Sequence, residues 1–308
     1  MDEALLQWKA SLFRYRVHNN SQLLLPSWTM MMMMANRSSN VDPCKWEGIT
    51  CNEARGLITI INLSSMDLQG TLHDFTFSSF PNLLRLDLHD NSLFGPIPPC
   101  IANLSQLSNL NLSINHFSGN IPFEISLLMN LSELDFHNNN LTGSIPPALG
   151  SMKNLKILHL AENQLSGPIP LEIGNLCSLT VLKVSENYFL NGSIPSTVGN
   201  LRKLNIIHLH INSFSGSIPV EIENMSNLYK LSLWSNFLTG SIPPEIGNLR
   251  SLTVLFLGFN YLSGSIPTSF GNLSKLNFIH LYSNLLSGSI PTEFRNMTSL
   301  QELAIIGN

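Results

Sequence analysis

The stretch LNIIHLHINSFSGSIP, Leu204 to Pro219, decides how this chain folds. Ile207 and Leu209 alternate with other residues, which is the period of a strand with one buried face. Asn212 follows, and Gly216-Ser-Ile218-Pro219 closes the stretch. The same spacing returns in both directions. Asparagine recurs at Asn91, Asn115, Asn139, Asn163, Asn187, Asn212, Asn236, Asn260, Asn284 and Asn308. The step is 24 residues throughout, except 25 between Asn187 and Asn212, where YFLNGSIP holds one extra residue before Gly192. Each copy reads L-x-x-L-x-L-x-x-N-x-L-x-G-x-I-P, and Met66 takes the asparagine's place in an earlier, irregular copy.

A fixed short period marks stacked units, none of which can bury its apolar face alone. After each proline the apolar residues come every third position, as at Pro243, Ile246, Leu249 and Leu252. That step suits short 3₁₀ segments better than α-helix. Each unit is therefore expected to be a strand, a tight turn and a return path. A buried asparagine fits such a stack because its amide can donate to and accept from the backbone of adjacent turns. Glycine admits backbone angles closed to other residues, and proline fixes the path that follows.

Composition narrows the function. Charged residues are 12% of 308 and the net charge is −4, without blocks of like charge, so the basic stripe that nucleic acid requires is missing. No run of 18 apolar residues is present, and the acidic start MDEALLQWKA is not a recognisable signal peptide. The repeat pattern stops at Asn308 without a C-terminal cap. The expectation is a piece of a longer protein, with an open strand edge and marginal solubility.

The pattern resembles the plant-type leucine-rich repeat family, and the L-x-G-x-I-P half carries the plant-specific part of the resemblance. The resemblance covers Leu57 to Asn308. It implies a right-handed, curved solenoid with a parallel β-sheet on the concave side and a 3₁₀-rich convex side. Eleven strands are expected, beginning near Ile58, Leu83, Leu107, Leu131, Leu155, Leu179, Leu204, Leu228, Leu252, Leu276 and Leu300. Two domains result, an N-terminal cap over residues 1–56 and repeats over 57–308. In the cap, Ala4, Leu5, Trp8 and Leu12 share a helical face.

Cys44-Lys-Trp-Glu-Gly-Ile-Thr-Cys51 resembles the cap signature C-x-W-x-G-x-x-C of plant receptor ectodomains. The resemblance implies a Cys44–Cys51 disulfide, worth about 2.5 kcal/mol by chain entropy, in an oxidising compartment. It also places Trp46 against the first repeat. Two cysteines without nearby histidines are too few for a metal site. Cys100 and Cys177 lie three repeats apart, too far to bridge, and are expected as free thiols near the convex surface. The methionine run Met30–Met34 departs from related caps, which carry polar residues there.

Template positions point inward and variable positions point outward, by strand alternation. Stacking brings equivalent variable positions of successive repeats to within about 4.8 Å, so they form columns. Early columns are polar and acidic, with Asp87, Asp90, Glu133 and Asp135. Later ones gather His208, His210, Lys230, Trp234, Phe256, Phe259, Phe278, His280 and Tyr282. β-propensity alone can place aromatics on a sheet. A local cluster of them points instead to an interaction surface. An extended peptide laid along the repeats would use Trp234 and Tyr282 as anchors, with the histidines and Lys230 pairing with a carboxylate. Exposed histidines near pKa 6.5 would be largely charged at pH 5.5, so acid is expected to strengthen binding of an anionic peptide.

Some family members read a peptide's terminal carboxylate with Arg-x-Arg on one strand. The repeats here contain none, and Arg14-Tyr15-Arg16 lies in the cap. His208-Leu209-His210 has similar spacing with weaker charge. A metal site would need a third fixed ligand; His159 is two repeats from His208 with Lys183 between, so neither metal nor cofactor is expected.

Sequons occur at Asn19, Asn36, Asn62, Asn103, Asn111, Asn130, Asn140, Asn191, Asn224, Asn272 and Asn296. The repeat itself generates those at Asn103, Asn224, Asn272 and Asn296. So many acceptors still fit a glycoprotein, and the glycosylation candidates are Asn62 through Asn296. Glycans on Asn62 and Asn111 would obstruct the early repeats. The resemblance implies the non-catalytic, peptide-binding ectodomain of a plant receptor-like kinase or receptor-like protein, at the outer face of the plasma membrane. It also implies a co-receptor with a shorter repeat ectodomain. The alternatives are a secreted inhibitor of a wall-degrading enzyme, whose cysteine-bearing C-terminal cap is absent here, and an intracellular scaffold. The cap cysteines and sequons speak against the scaffold.

Overall fold

The protein was analysed as a computed structural model that describes residues 2–14, 25–28 and 42–308. The Met30–Met34 run, the sequons at Asn19 and Asn36, and Tyr15-Arg16 lie outside the described residues. The chain divides into two compact units, Met1–Leu141 and Thr142–Asn308.

The N-terminal unit begins with the helix Asp2–Ser11, which buries Leu5 and Trp8 completely. Ala4 and Leu12 lie on the same side, Leu12 buried and Ala4 half-buried. The Trp8 indole packs edge-on against Phe75 and its Nε1–H donates to Thr71 O at 2.9 Å. This contact seals the first repeat, whose leucines would otherwise face water. Cys44 and Cys51 are joined by a disulfide, with their Cα atoms 5.5 Å apart. The Trp46 ring stacks on Trp28 at 5.4 Å, and Trp28 Nε1–H donates to Glu47 O. Ile49–Cys51 then pairs antiparallel with Ile58–Asn62, the first repeat strand.

From there the repeat strands pair in parallel with zero stagger. In the N-terminal unit Ile61, Leu86, Leu110 and Leu134 stand in register. In the C-terminal unit Leu182, Ile207, Leu231, Leu255, Ile279 and Leu303 do the same. Apart from Leu303 on the last strand, which is half-buried, these residues are at most 3% exposed. Each strand is short, typically three residues such as Lys230–Ser232, and starts two residues after the leading leucine. Five-residue 3₁₀ turns follow the prolines, as at Pro244–Asn248, so the three-residue step in the sequence is a 3₁₀ signal.

A second row of strands was not foreseen. The segment after each asparagine, expected as a turn, is extended, for example Phe237–Ser241 and Tyr261–Ser265. These strands also pair in parallel, but each is offset by two residues from the next: Gly216 lies beside Leu238 and Gly240 beside Leu262. The template glycine has a positive φ there, +75° at Gly216, which explains why this position excludes side chains.

The asparagine ladder joins the two rows. Asn236 Nδ2–H donates to Leu209 O and Leu233 O at 3.1 and 3.0 Å, and Oδ1 accepts from Phe214 N at 3.0 Å. Asn115 repeats this in the N-terminal unit with Leu88 O and Leu93 N. At the 25-residue repeat the pattern slips. Asn212 Oδ1 accepts from Asn187 N, and Leu190 N donates to Asn187 O, closing a turn around the extra residue Tyr188.

Candidate functional site

The residue before each ladder asparagine turns the chain through the left-handed region. Asp90, Ile114, Asn138, Glu162, Glu186, Ile211, Ser235, Phe259 and Ser283 have φ between 51° and 57°. For the bulky Phe259 this backbone is costly, of order 1 kcal/mol or more. Its ring is half out in solvent, 52% exposed, and meets the Tyr282 ring edge-on at 5.1 Å. The repeat imposes this turn on every copy, Ile114 and Ile211 included, so the cost belongs to the fold, and what sets Phe259 apart is its exposed ring.

The structure gathers the sequence-predicted residues into two neighbouring groups on the first row of strands in the C-terminal unit. In one, His210 stacks on Trp234 at 5.2 Å and meets His208 at 5.3 Å. Ser232, buried beside His208 on the next strand, shares a 3.1 Å hydrogen bond with His210 Nδ1. In the other, Phe256 stacks on His280 at 4.2 Å, His280 leans on Tyr282 at 5.6 Å, and Phe259 closes the group. His280 Nε2 also lies 2.8 Å from Glu302 Oε1. Phe278 stands one column away, in register with Val254 and Glu302. Lys230 is half-buried beside Ile206 and Val254.

Gly258 makes the second group possible. It occupies the column position between Trp234 and Tyr282, and a Cβ there would meet the Tyr282 ring at 2.9 Å. The Tyr282 ring therefore lies across the place where other repeats carry a side chain. The signal was present in the sequence as the smallest residue of its column next to a tyrosine. Ser232 and Glu186 carried no comparable signal.

The histidines differ from expectation. Strand neighbours 4.8 Å apart cover one another, so His208 and His210 are half-buried rather than exposed. Burial pushes His208 down to about 3, with Lys230, His210, Lys183 and His159 adding repulsion. Burial likewise pushes His210 down to about 4, with Lys230 second. Glu186, whose Oε1 is 3.8 Å from His210 Nε2, is raised by burial and by Glu162. Both imidazoles are thus neutral at pH 5.5, and the acid-strengthened pairing expected of them is withdrawn. His208 Nε2 is a buried ring nitrogen with no hydrogen-bond partner among the described residues.

Of the sequence-predicted sequons, Asn111 is half-buried and the other eight glycosylation candidates are exposed. Cys100 and Cys177 are free and exposed. Among the described residues no helix is long and apolar enough to cross a membrane.

A stacked-repeat fold with an asparagine ladder, a disulfide-closed cap and a variable ring-bearing face defines a leucine-rich-repeat scaffold. Comparison with known proteins agrees. Residues 2–52 match the leucine rich repeat N-terminal domain, and leucine rich repeat families match residues 82–104, 129–172, 226–286 and 250–308. The chain belongs to the leucine-rich-repeat proteins, of the kind found in plant receptor ectodomains. A leucine-rich repeat receptor-like serine/threonine-protein kinase of Arabidopsis thaliana, RGI4, is 39% identical over 122 residues, which is 40% of this chain and 10% of the kinase. Phytosulfokine receptor 1 of the same plant is 38% identical over 93 residues, 30% of this chain and 9% of the receptor. The match thus spans about a tenth of each relative. Among solved structures, the Arabidopsis receptor kinase HAESA, in complex with the peptide hormone IDA and the co-receptor SERK1, superposes with a TM-score of 0.85. It is 33% identical, over 99% of this chain and 49% of that one. A plant ice-binding protein superposes with a TM-score of 0.76 at 29% identity, over 94% of this chain and 88% of that one.

Proposed function

We propose that this chain is the extracellular, non-catalytic ligand-binding part of a plant receptor-like kinase or receptor-like protein. Its ligand is a secreted peptide that lies across the His210–Trp234 and Phe256–His280–Tyr282 groups. The carrying observation is the stacking of His210 on Trp234 and of Phe256 on His280, beside Tyr282 and the exposed Phe259 ring. Rings of this kind supply contact area at small entropic cost, while Lys230 and Lys183 give the nearby positive charge. A co-receptor with a shorter ectodomain is the partner this reading implies, by likeness to the HAESA complex. The test is capture from a synthetic library of short peptides, followed by titration of the best binder. Trp234→Ala is expected to weaken binding by about 2 kcal/mol, roughly thirtyfold, with unchanged melting temperature. Equal capture by wild type and Trp234→Ala rejects the site.

A second reading has its own observation. The second row of strands in the C-terminal unit sets hydroxyls side by side, Ser193 with Ser215, Ser241 with Ser263 and Ser265 with Ser287. Regular hydroxyl rows at strand spacing suit a repeating surface such as ice, which the plant neighbour is named for binding. An ice-recrystallisation assay decides it: inhibition by micromolar protein supports this reading, and crystal growth equal to a buffer control rejects it.

A further inference from the structure

One exposed ring has no role in the face described above. Phe189 lies in the second-row strand Phe189–Ser193 and is 60% exposed, next to the equally exposed Tyr188. A large apolar side chain on an open strand is a liability unless something covers it. Strand alternation puts Leu190 inside and brings Phe189, Asn191 and Ser193 out on one face, with Phe189 and Asn191 about 7 Å apart. Asn191-Gly192-Ser193 is an N-glycosylation acceptor. Asn191 occupies the position that is serine or threonine in the other regular repeats from Ser118 onward. Its sheet neighbour on one side is the small Ser213, and Phe189 has Ser166 beside it. The small Ser213 therefore leaves room on its side of the Asn191 amide, and Ser166 leaves room beside the ring.

We propose that Asn191 carries an N-linked glycan whose first N-acetylglucosamine lies with its C–H face on the Phe189 ring. This rests on the extracellular reading given above. The comparison with the other acceptors is internal to the chain. Asn130 Nδ2 is engaged by Ser105 O at 3.0 Å. The Oδ1 atoms of Asn62 and Asn111 accept from the serine two residues on in their own sequons. The residue two before Asn272 is Phe270, fully buried, and the residue two before Asn296 is Phe294, stacked on Phe270. Asn191 combines an open amide with an exposed ring on the same strand face. A pyranose presents axial C–H groups on one side, and these pack on an aromatic face as other apolar groups do. The sugar shields the ring, and the ring orders the sugar.

The full chain, secreted from plant cells behind an added leader, is mapped by glycopeptide mass spectrometry. Asn191 is expected to be occupied in most molecules. Phe189→Ala is expected to lower that occupancy at least twofold without changing occupancy at Asn140, and Phe189→Tyr to restore it. After trimming to the first sugar, the glycan is expected to raise Tm relative to Asn191→Gln in the wild-type background but not in Phe189→Ala. Sugar at Asn140 with none at Asn191 overturns the inference and leaves the peptide-binding reading standing. Sugar at none of the sequons overturns the inference and the extracellular reading together. Occupancy and Tm gain that are indifferent to Phe189→Ala overturn the stacking.

Discussion

The same repeat carries two unlike faces. On the first row of strands in the N-terminal unit the outward positions form a polar network, in which Asn109 Oδ1 has no partner among the described residues. Arg85 and Asp87 form a 2.7 Å ion pair, Asn109 Nδ2–H donates to Glu133, His137 Nδ1 lies 2.7 Å from Asp135, and His89 Nδ1 lies 2.9 Å from Ser113 Oγ. Asp87 is almost fully buried in this network, and burial with neighbouring Asp135 raises Glu133. Groups that already have partners gain little from a ligand. In the C-terminal unit the same positions hold stacked rings and Lys230. The difference teaches that one template holds both units together while its variable positions carry polar pairs in one and stacked rings in the other.

The largest effect sharpens that separation. Asn236→Ala and Asn115→Ala each remove a side chain that serves the backbone of two turns. Each leaves buried N–H and C=O groups alone and is expected to cost about 3 kcal/mol in urea unfolding, alike in both units. A cost under about 1 kcal/mol in either would show that the ladder is not what holds the stack. An intermediate effect comes from acid. His208 and His210 are neutral in the folded chain but protonate near 6.5 when unfolded. As pH falls from about 6.5 towards 4, the unfolded state takes up protons that the folded state refuses, so stability drops. The loss between pH 7 and 5.5 is on the order of 1 kcal/mol after partial solvent screening, and the double variant His208→Gln/His210→Gln should flatten it. An unchanged pH slope in that variant would move the titration elsewhere. The smallest effect distinguishes ring placement from ring presence. Gly258→Ala pushes a methyl into the Tyr282 ring and is expected to weaken peptide binding five- to tenfold, about 1 kcal/mol, with little change in Tm. Binding unaffected by Gly258→Ala would mean that Tyr282 does not need to lie across that position.

Much of this was legible in the residues. The 24-residue period, the inward leucines, the buried asparagines, the 3₁₀ turns and the Cys44–Cys51 bridge follow from spacing and from the cap signature. The second row of strands was not legible. Its segments are short, glycine-bearing and serine-rich, so by propensity they read as turns, and only the hydrogen bonds to neighbouring repeats make them strands. The clustering of rings could be read from the columns, but their burial could not. Exposure of His208 depends on Lys183 and Ser232 standing on either side of it, and their heights set how much water reaches the imidazole. Trp28 was passed over because nothing local announces a stacking partner for Trp46.

The most direct test of the central claim uses the position of one indole. Trp8, Trp28 and Trp46 are sealed in the cap, and Trp234 is the remaining tryptophan, half-buried on the proposed face. Titrating the library-selected peptide should shift the tryptophan emission to shorter wavelength as Trp234 loses water, and the shift should vanish in Trp234→Phe. Saturable binding without that shift, or a shift that persists in Trp234→Phe, would contradict the account.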